Sequence, residues 1–288
     1  MKNSIRFIAC ASLFLAASAF AAGLEQAKVS KIVNQVEVIP AGDQPEPAEL
    51  GEVISGHTGV RTGGNSRAQL TFSDNTLARL GANTLFSFQR GTRSLDLENG
   101  TILLQVPKDA GGATIHSAPV TAAITGTTLM MEYSPGNPGT VKLIVLEGTV
   151  RLSLKGKLGE SVLLNPGEMI TVAANAKSLP NPVPVDVKRI LRTSRLVKEG
   201  ELESMGLIME TVDNQQQMIA DKRLSDGGPV TPENLLNNPA LIANDALNNQ
   251  NFRRDTVPLP TPALVATPPP YIYHGGGSST NGGTIYNY

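Results

Sequence analysis

The chain is poor in the residues that most often cross-link a fold or bind metal. Its 288 residues include one cysteine, three histidines and no tryptophan. A single cysteine, Cys10, excludes an intrachain disulfide framework. The histidines, His57, His116 and His274, are far apart and no H-x-x-x-H pattern occurs, so the usual spacing of a zinc site is lacking. We therefore expect no metal and no cofactor.

Charged residues are scarce as well, and nucleotide-binding motifs are lacking. Charged residues make up 17% of the chain and the formal net charge is −1, which excludes the strongly basic footprint of a nucleic-acid-binding protein. No G-x-G-x-x-G, Walker loop or G-x-S-x-G element is present, so nucleotide-binding and hydrolase functions have no motif behind them. The pattern favours a binding or structural role over catalysis.

The N-terminus predicts a signal peptide over residues 1–22. Lys2 and Arg6 precede an apolar stretch at 7–20, and Ala19-Phe20-Ala21 fits the small-residue cleavage signal. We therefore expect a periplasmic or secreted protein.

Two other interpretations of this segment remain. One is an uncleaved anchor that extends to Leu24, although the apolar run is short for a membrane span. The other makes Cys10 a lipoprotein cysteine. If residues 1–22 are removed, the basic count falls from 24 to 22 against 25 acids, and no later apolar run is long enough to cross a bilayer.

Short strands dominate the pattern from 27 to 175. "AQLTF" (68–72) and "VRLSL" (150–154) alternate apolar and polar residues with a period of two, as in strands with one buried face. "TILLQV" (101–106) and "VKLIVL" (141–146) are more continuously apolar, which is typical of strands covered on both faces. The sequence predicts a mainly β domain, either a β-solenoid or a β-sandwich of short strands.

One internal sequence similarity bears on the choice between a solenoid and a sandwich. "LENGTILLQV" (97–106) and "LEGTVRLSL" (146–154) share Leu-Glu, a glycine turn, a threonine and a strand. They could be two copies of a repeat or two similar hairpins.

Three further segments follow the β domain. Residues 176–186 form a Pro-rich linker, residues 187–224 have helical periodicity, and residues 225–288 are rich in Pro, Asn and Gly, which predicts a disordered low-complexity tail. Asp186 is placed to cap one helix and Gly200 to end it, so one or two helices are expected.

Apolar residues of the second helical stretch recur on one side. They are Met205, Ile208, Met209 and Val212. Such a stripe either docks a helix on its own domain or binds a partner, and we favour docking because apolar stripes usually serve the core.

The best catalytic candidates are weak. Asp96 and Glu98 are two apart in a strand and face one side, but Leu95 and Leu97 take the other side. The two carboxylates are therefore expected to be solvent-facing charges of an amphipathic strand. His116 and Ser117 are adjacent, so in a strand they face opposite ways and cannot easily form a base and nucleophile.

A resemblance to a known family rests on several consecutive segments. "GVRTGGNSRAQLTFSDNTLARLGANTLFSF", "LENGTILLQV", "IHSAPVTAAITGTTLMMEY", "VLEGTVRLS" and "LNPGEMITV" resemble the FecR domain over about 55–173. The resemblance implies an extracytoplasmic, all-β module that works through protein contacts. The residues that match its motif, expected to be structural, are Gly126, Thr127, Gly148, Gly167 and Glu168.

The chain departs from the family's iron-uptake regulators in two ways. It begins with a predicted signal peptide instead of a cytoplasmic anti-sigma region, and it has no later membrane span. In those regulators the domain relays a signal from an outer-membrane receptor to a sigma factor, and here the link to a sigma factor is not implied.

These observations favour an exported, non-enzymatic module that binds a protein or an envelope polymer through strand edges or loops. No nucleic acid is expected as a partner, and self-association is open. Two alternatives remain: a carbohydrate-active enzyme on a β-solenoid that uses Asp96 or Glu98, and a structural assembly protein whose Tyr-rich end drives oligomers.

Overall fold

The computed structural model describes residues 23–220. The predicted signal peptide and the predicted disordered tail lie outside these residues. The described part forms fifteen strands and three helices, with 49% of it in strands and 13% in helices. The predicted mainly β fold is confirmed.

The elements are β1 Gln26–Val33, β2 Val36–Ile39, β3 Glu46–Pro47, β4 Val53–Ser55, β5 Gly59–Thr62, β6 Arg67–Phe72, β7 Leu77–Leu80, β8 Leu85–Phe88, β9 Ser94–Val106, β10 Ala113–His116, β11 Val120–Ser134, β12 Thr140–Leu154, β13 Ser161–Leu164, β14 Glu168–Ala173, β15 Val183–Pro184, α1 Val187–Thr193, α2 Arg195–Lys198 and α3 Met205–Ala220.

The strands form two layers that share three long strands. Sheet 1 has the order β4-β1-β6-β7-β9-β11-β12-β14-β15, and sheet 2 has the order β3-β2-β5-β8-β9-β10-β11-β12-β13. Within residues 23–220, every strand pair is antiparallel except the pair of β9 with β10. A solenoid stacks its coils in parallel, so the arrangement is a two-layer sandwich crossed by bent strands.

The three shared strands are longer than the sequence pattern suggested. β9, β11 and β12 have 13, 15 and 15 residues. Each continues from one sheet into the other through a glycine with positive φ: Gly100 in β9, Gly126 in β11 and Gly148 in β12. A glycine bend lets one strand serve both sheets. The sequence expectation of uniformly short strands is corrected by these bends.

The two sheets enclose one apolar core. Leu70 and Leu80 of sheet 1 and Leu97 and Ile115 of sheet 2 are all buried in the same cluster. Phe72 of sheet 1 and Phe88 of sheet 2 meet edge to face, with ring centroids 5.0 Å apart. Alternating residues of each strand therefore fill the space between the layers, as expected for a sandwich.

A second apolar cluster lies on the outer face of sheet 1. Leu103, Met130 and Ile144 project there and contact helix residues that include Ile208 and Val212. The apolar runs within "TILLQV" and "VKLIVL" are explained by this arrangement, because the core covers one face and the helices cover the other. The predicted docking of the helical stripe on its own β domain is confirmed for Ile208 and Val212 and, partly buried, for Met205, whereas Met209 is 43% exposed and does not dock.

The segment between the β domain and the helices is held against sheet 1. Val183–Pro184 pairs with β14, and Val185 is buried. Asp186 caps α1, because its carboxylate accepts a hydrogen bond from the Arg189 backbone N–H at 2.8 Å. The Pro-rich stretch 176–186 thus brings α1 to the sheet.

Candidate functional site

The motif residues on β11 and β12 meet where these strands bend. A Cβ atom placed on Gly148 would lie 2.6 Å from both the Gly126 carbonyl oxygen and Thr127 Oγ1. Thr127 Oγ1 donates to the Thr149 carbonyl oxygen at 2.9 Å. Gly126, Thr127 and Gly148 therefore form one close crossing of two backbones, which only glycine at positive φ permits.

Gly167 and Glu168 form the turn before β14. The Gly167 N–H donates to the Val145 carbonyl oxygen at 2.8 Å, and Glu168 Oε2 accepts from the Asn165 N–H at 2.7 Å. Gln215 of α3 packs against this turn and donates to the Val185 carbonyl oxygen at 2.8 Å. The turn therefore helps to seat α3.

A cavity of about 160 Å³ lies beside the crossing and under the start of α3. Gln105, Lys108 and Glu147 line it from the β domain, and Ser204 and Leu207 line it from the helical side. Lys108 crosses over Gly126, where an added Cβ would clash with it. The cavity thus joins the motif glycine to the helices.

A polar chain connects the two sides of the cavity. Thr128 Oγ1 donates to Glu147 Oε1 at 3.0 Å and lies 2.6 Å from Ser204 Oγ. Ser204 Oγ also donates to Gln105 Oε1 at 3.1 Å. All four residues are buried, so this chain ties Ser204, the residue before α3, to β9, β11 and β12.

Glu147 is the one member of this chain with a carboxyl group. Only 5% of the residue is exposed, and burial raises the pKa of its carboxyl, while the Thr128 hydroxyl and the positive charge of Lys108 act in the opposite direction. A second carboxyl group, that of Glu203, is exposed on the rim of the same cavity and takes no part in this hydrogen-bonded chain.

Replacing Glu147 with glutamine is expected to change how stability depends on pH. A carboxyl whose pKa rises on folding binds more protons in the folded state. The free energy of unfolding therefore falls as the pH rises from the ordinary glutamate pKa to the folded-state pKa. Glutamine keeps the acceptor for Thr128 but cannot ionise. In urea unfolding, the free energy of unfolding of the variant relative to that of the wild type should therefore increase between about pH 4 and about pH 7.

The matched control is Glu203→Gln, an exposed glutamate on the rim of the same cavity. This variant removes a carboxylate that is exposed to solvent, so comparison with Glu147→Gln isolates the effect of burial. If the free energies of unfolding of Glu147→Gln and wild type differed by the same amount at about pH 4 and about pH 7, the role given to burial would be contradicted.

A buried arginine fastens the helices to sheet 1. Arg79 is 2% exposed, and its guanidinium donates to the carbonyl oxygens of Leu196, Val197 and Glu201 at 2.8 to 3.1 Å. Its Nε donates to Gln69 Oε1 at 3.0 Å. Burial lowers the pKa of Arg79 and the Glu199 charge opposes that shift. Arg79 of β7 thus supplies hydrogen-bond donors for the carbonyl groups at the C-terminal end of α2.

Glu199 adds charge pairs at the same place. Its carboxylate binds Lys31 at 2.8 Å and also Arg67. Burial opposes ionisation, but the hydrogen bonds and charges of Lys31 and Arg67 prevail and lower the pKa of Glu199. We call Lys31, Arg67, Arg79 and Glu199 the Arg79 cluster.

The catalytic candidates from the sequence do not form a site. Leu95 and Leu97 are buried, whereas Glu98 is exposed and Asp96 is half-buried, so the predicted solvent-facing side is confirmed. His116 Nδ1 lies 3.1 Å from Thr121 Oγ1, on the outer face.

Ser117 lies on the other side of that strand end. Its buried hydroxyl has no hydrogen-bond partner among the described residues. His116 and Ser117 are therefore separate, as their adjacency predicts.

Sequence reasoning missed Arg79 and Glu147. Both stand in otherwise apolar strand segments, "LARL" and "LIVLEG", where an ionisable residue on a covered face is the available signal. Among residues 23–220, no group of three His, Cys, Asp or Glu side chains is placed to hold a metal ion. No helix in that range has both the length and the apolar character to cross a membrane.

Residues 58–151 match the family model described as FecR protein. No curated protein sequence matches the chain.

Two crystal structures of a candidate anti-sigma factor from Parabacteroides distasonis ATCC 8503 are similar to the chain, with 16% and 15% identity and TM-scores of 0.39. They cover 44% and 47% of this chain, which spans 59% and 64% of theirs. The residues that form the crossing and most of both sheets lie inside the family match, and residues 58–151 are a FecR domain.

Proposed function

We propose that this chain is an exported FecR-domain module that works by binding another protein of the cell envelope, in a regulatory, signalling-related role. The FecR domain at residues 58–151 supports the regulatory part. Export rests on the signal-peptide pattern of residues 1–22. Catalysis plays no part in this proposal.

One observation carries the binding role. The helices close the outer face of sheet 1, whereas the outer face of sheet 2 has exposed or half-exposed side chains such as Asp96, His116, Ala123 and Arg151, with no helix of residues 23–220 packed over it. A sandwich with one face sealed by its own chain leaves the other face and its edge for a partner.

The proposal is tested by cross-linking in intact cells. An epitope-tagged full chain should be recovered from the periplasmic or secreted fraction with its N-terminus at Ala22 or Gly23. It should also carry a cross-linked adduct of discrete mass that resists glycan-degrading enzymes. A cytoplasmic pool that retains residues 1–22, or adducts no stronger than those of an unrelated exported protein, would contradict the proposal. An adduct removed by glycan-degrading enzymes instead would make the partner a polymer.

A further inference from the structure

The edge of sheet 2 offers free backbone groups. Within residues 23–220, β13 pairs with β12 on one side and with no other strand. The Leu154 N–H donates to the Glu160 carbonyl oxygen, and the antiparallel register then directs the N–H and C=O groups of Ser161 and Leu163 away from β12. Such a row of outward donors and acceptors is a template for one more strand.

Apolar side chains accompany this edge. Leu163 is 44% exposed, and Leu158 at the tip of the β12–β13 hairpin is fully exposed. Gly156 and Gly159 flank Leu158, both with positive φ and with no atom near the place of a Cβ. The hairpin therefore holds an apolar side chain out into solvent without support from its own core, which is typical of a contact surface.

The same edge is positively charged in a chain that is slightly negative overall. Arg151, Lys155 and Lys157 are exposed beside it, whereas the formal net charge of the chain is −1. The nearby acid, Glu160, is already engaged, because its carboxylate accepts from the Leu179 N–H at 2.8 Å. Charge complementarity thus favours an acidic partner.

We propose that this edge, which we call the β13 edge and define by Arg151, Lys155, Lys157, Leu158 and Leu163, binds an extended acidic segment of a partner protein as an added strand. The inference rests on the proposed function and specifies its surface. Arg151 is paired in register with Leu163, so an added strand would lie about two strand spacings, roughly 10 Å, from it, within reach of an arginine and a glutamate side chain together.

Two other occupants fit the edge less well. A second copy pairing β13 with β13 would place the cations of both chains together, which is unfavourable. The chain's own sequence after Ala220 contains five acids and four basic residues without an acidic run, so it lacks the required charge.

The test uses the purified full chain and two synthetic peptides of eight residues. One alternates glutamate with valine, and the other alternates lysine with valine. We expect the glutamate peptide to bind about tenfold or more tightly than the lysine peptide in fluorescence anisotropy. Lys155→Glu with Lys157→Glu should weaken its binding about tenfold or more.

Leu163→Pro tests the backbone directly. It removes an outward N–H without touching a bond to β12, so binding of the glutamate peptide should be lost. The matched control is Val53→Pro on β4, the edge of sheet 1. The bond from the Val29 N–H to the Glu52 carbonyl oxygen directs the Val53 N–H outward in the same way. Val53→Pro should leave binding unchanged, and equal thermal midpoints of the two proline variants would show equal folding.

Three binding results would overturn the inference. They are equal binding of both peptides, binding that survives Leu163→Pro, and binding to phosphatidylglycerol vesicles with none to peptide. A dimer that Leu163→Pro dissociates would also overturn it, since the occupant would then be a second copy. If these tests fail while the wild type still gives a protein adduct in cells, the proposed function stands and the β13 edge does not. If no adduct forms, the proposed function itself fails.

Discussion

Gly148→Ala is expected to lower the free energy of unfolding by about 3 kcal/mol or more, a large fraction of the roughly 5–15 kcal/mol of an ordinary domain. Gly148 has a φ of 76°, which an alanine adopts only with strain. Its Cβ would also lie 2.6 Å from the Gly126 carbonyl oxygen and 2.9 Å from Thr127 Cα. These are backbone atoms of β11, so relief requires both bent strands to separate. Urea unfolding of the soluble fraction measures the effect.

Gly156→Ala is the matched control for that prediction. Gly156 has a similar φ of 73°, but nothing lies within 4 Å of the Cβ position. Only the backbone strain remains, and we expect a loss of about 1 kcal/mol. Equal losses at Gly148 and Gly156 would mean that the close crossing of β11 and β12 is not what requires glycine.

Arg79→Met is expected to cost about 3 kcal/mol of stability and to loosen the helices. Methionine approximates the length of the arginine stem but donates no hydrogen bonds, so the carbonyls of Leu196, Val197 and Glu201 lose their partner. Glu199 keeps Lys31 and Arg67 but loses a neighbouring positive charge. Hydrogen exchange should become faster across residues 195–204, and urea unfolding should report the change in stability.

The control for Arg79 is Arg61→Met. Arg61 pairs with Glu37 on the outer face of sheet 2 and is partly exposed. Exposed ion pairs contribute about 1 kcal/mol or less, so this variant should stay close to wild type in both measurements. Unchanged exchange at residues 195–204 in Arg79→Met would show that the apolar cluster alone holds the helices.

Much of the fold follows from local patterns. The alternation in "AQLTF" corresponds to β6, and Asp186 begins α1 as its position before an apolar repeat suggests. The continuous apolar run "VKLIVL" correctly indicated a strand covered on both faces. These signals are local because each depends on neighbouring residues in one element.

The bends and the Arg79 cluster could not be predicted in that way. Gly100 and Gly148 look like hairpin turns in the sequence. In the structure, each is a bend at which one strand continues into the other sheet instead of reversing direction. Arg79 meets carbonyls of residues 117 to 122 positions later in the chain, and no periodic pattern encodes such a contact. Glu147 likewise depends on Thr128 and Ser204 from other elements.

The two sheets of the sandwich differ in what covers them. The Arg79 cluster, the Glu147 chain and the apolar cluster all hold the helices on sheet 1. Sheet 2 retains the β13 edge, with free backbone groups, exposed leucines and positive charge. This division is the structural basis of the recognition role that we propose.

The most direct measurement is site-specific photo-cross-linking in intact cells. A photoreactive amino acid replaces Leu163 on the β13 edge in one strain and Val53 on the opposite edge in another. The account predicts a protein adduct of discrete mass from position 163 and none from position 53. Equal adducts from both positions, or none from position 163, would contradict it.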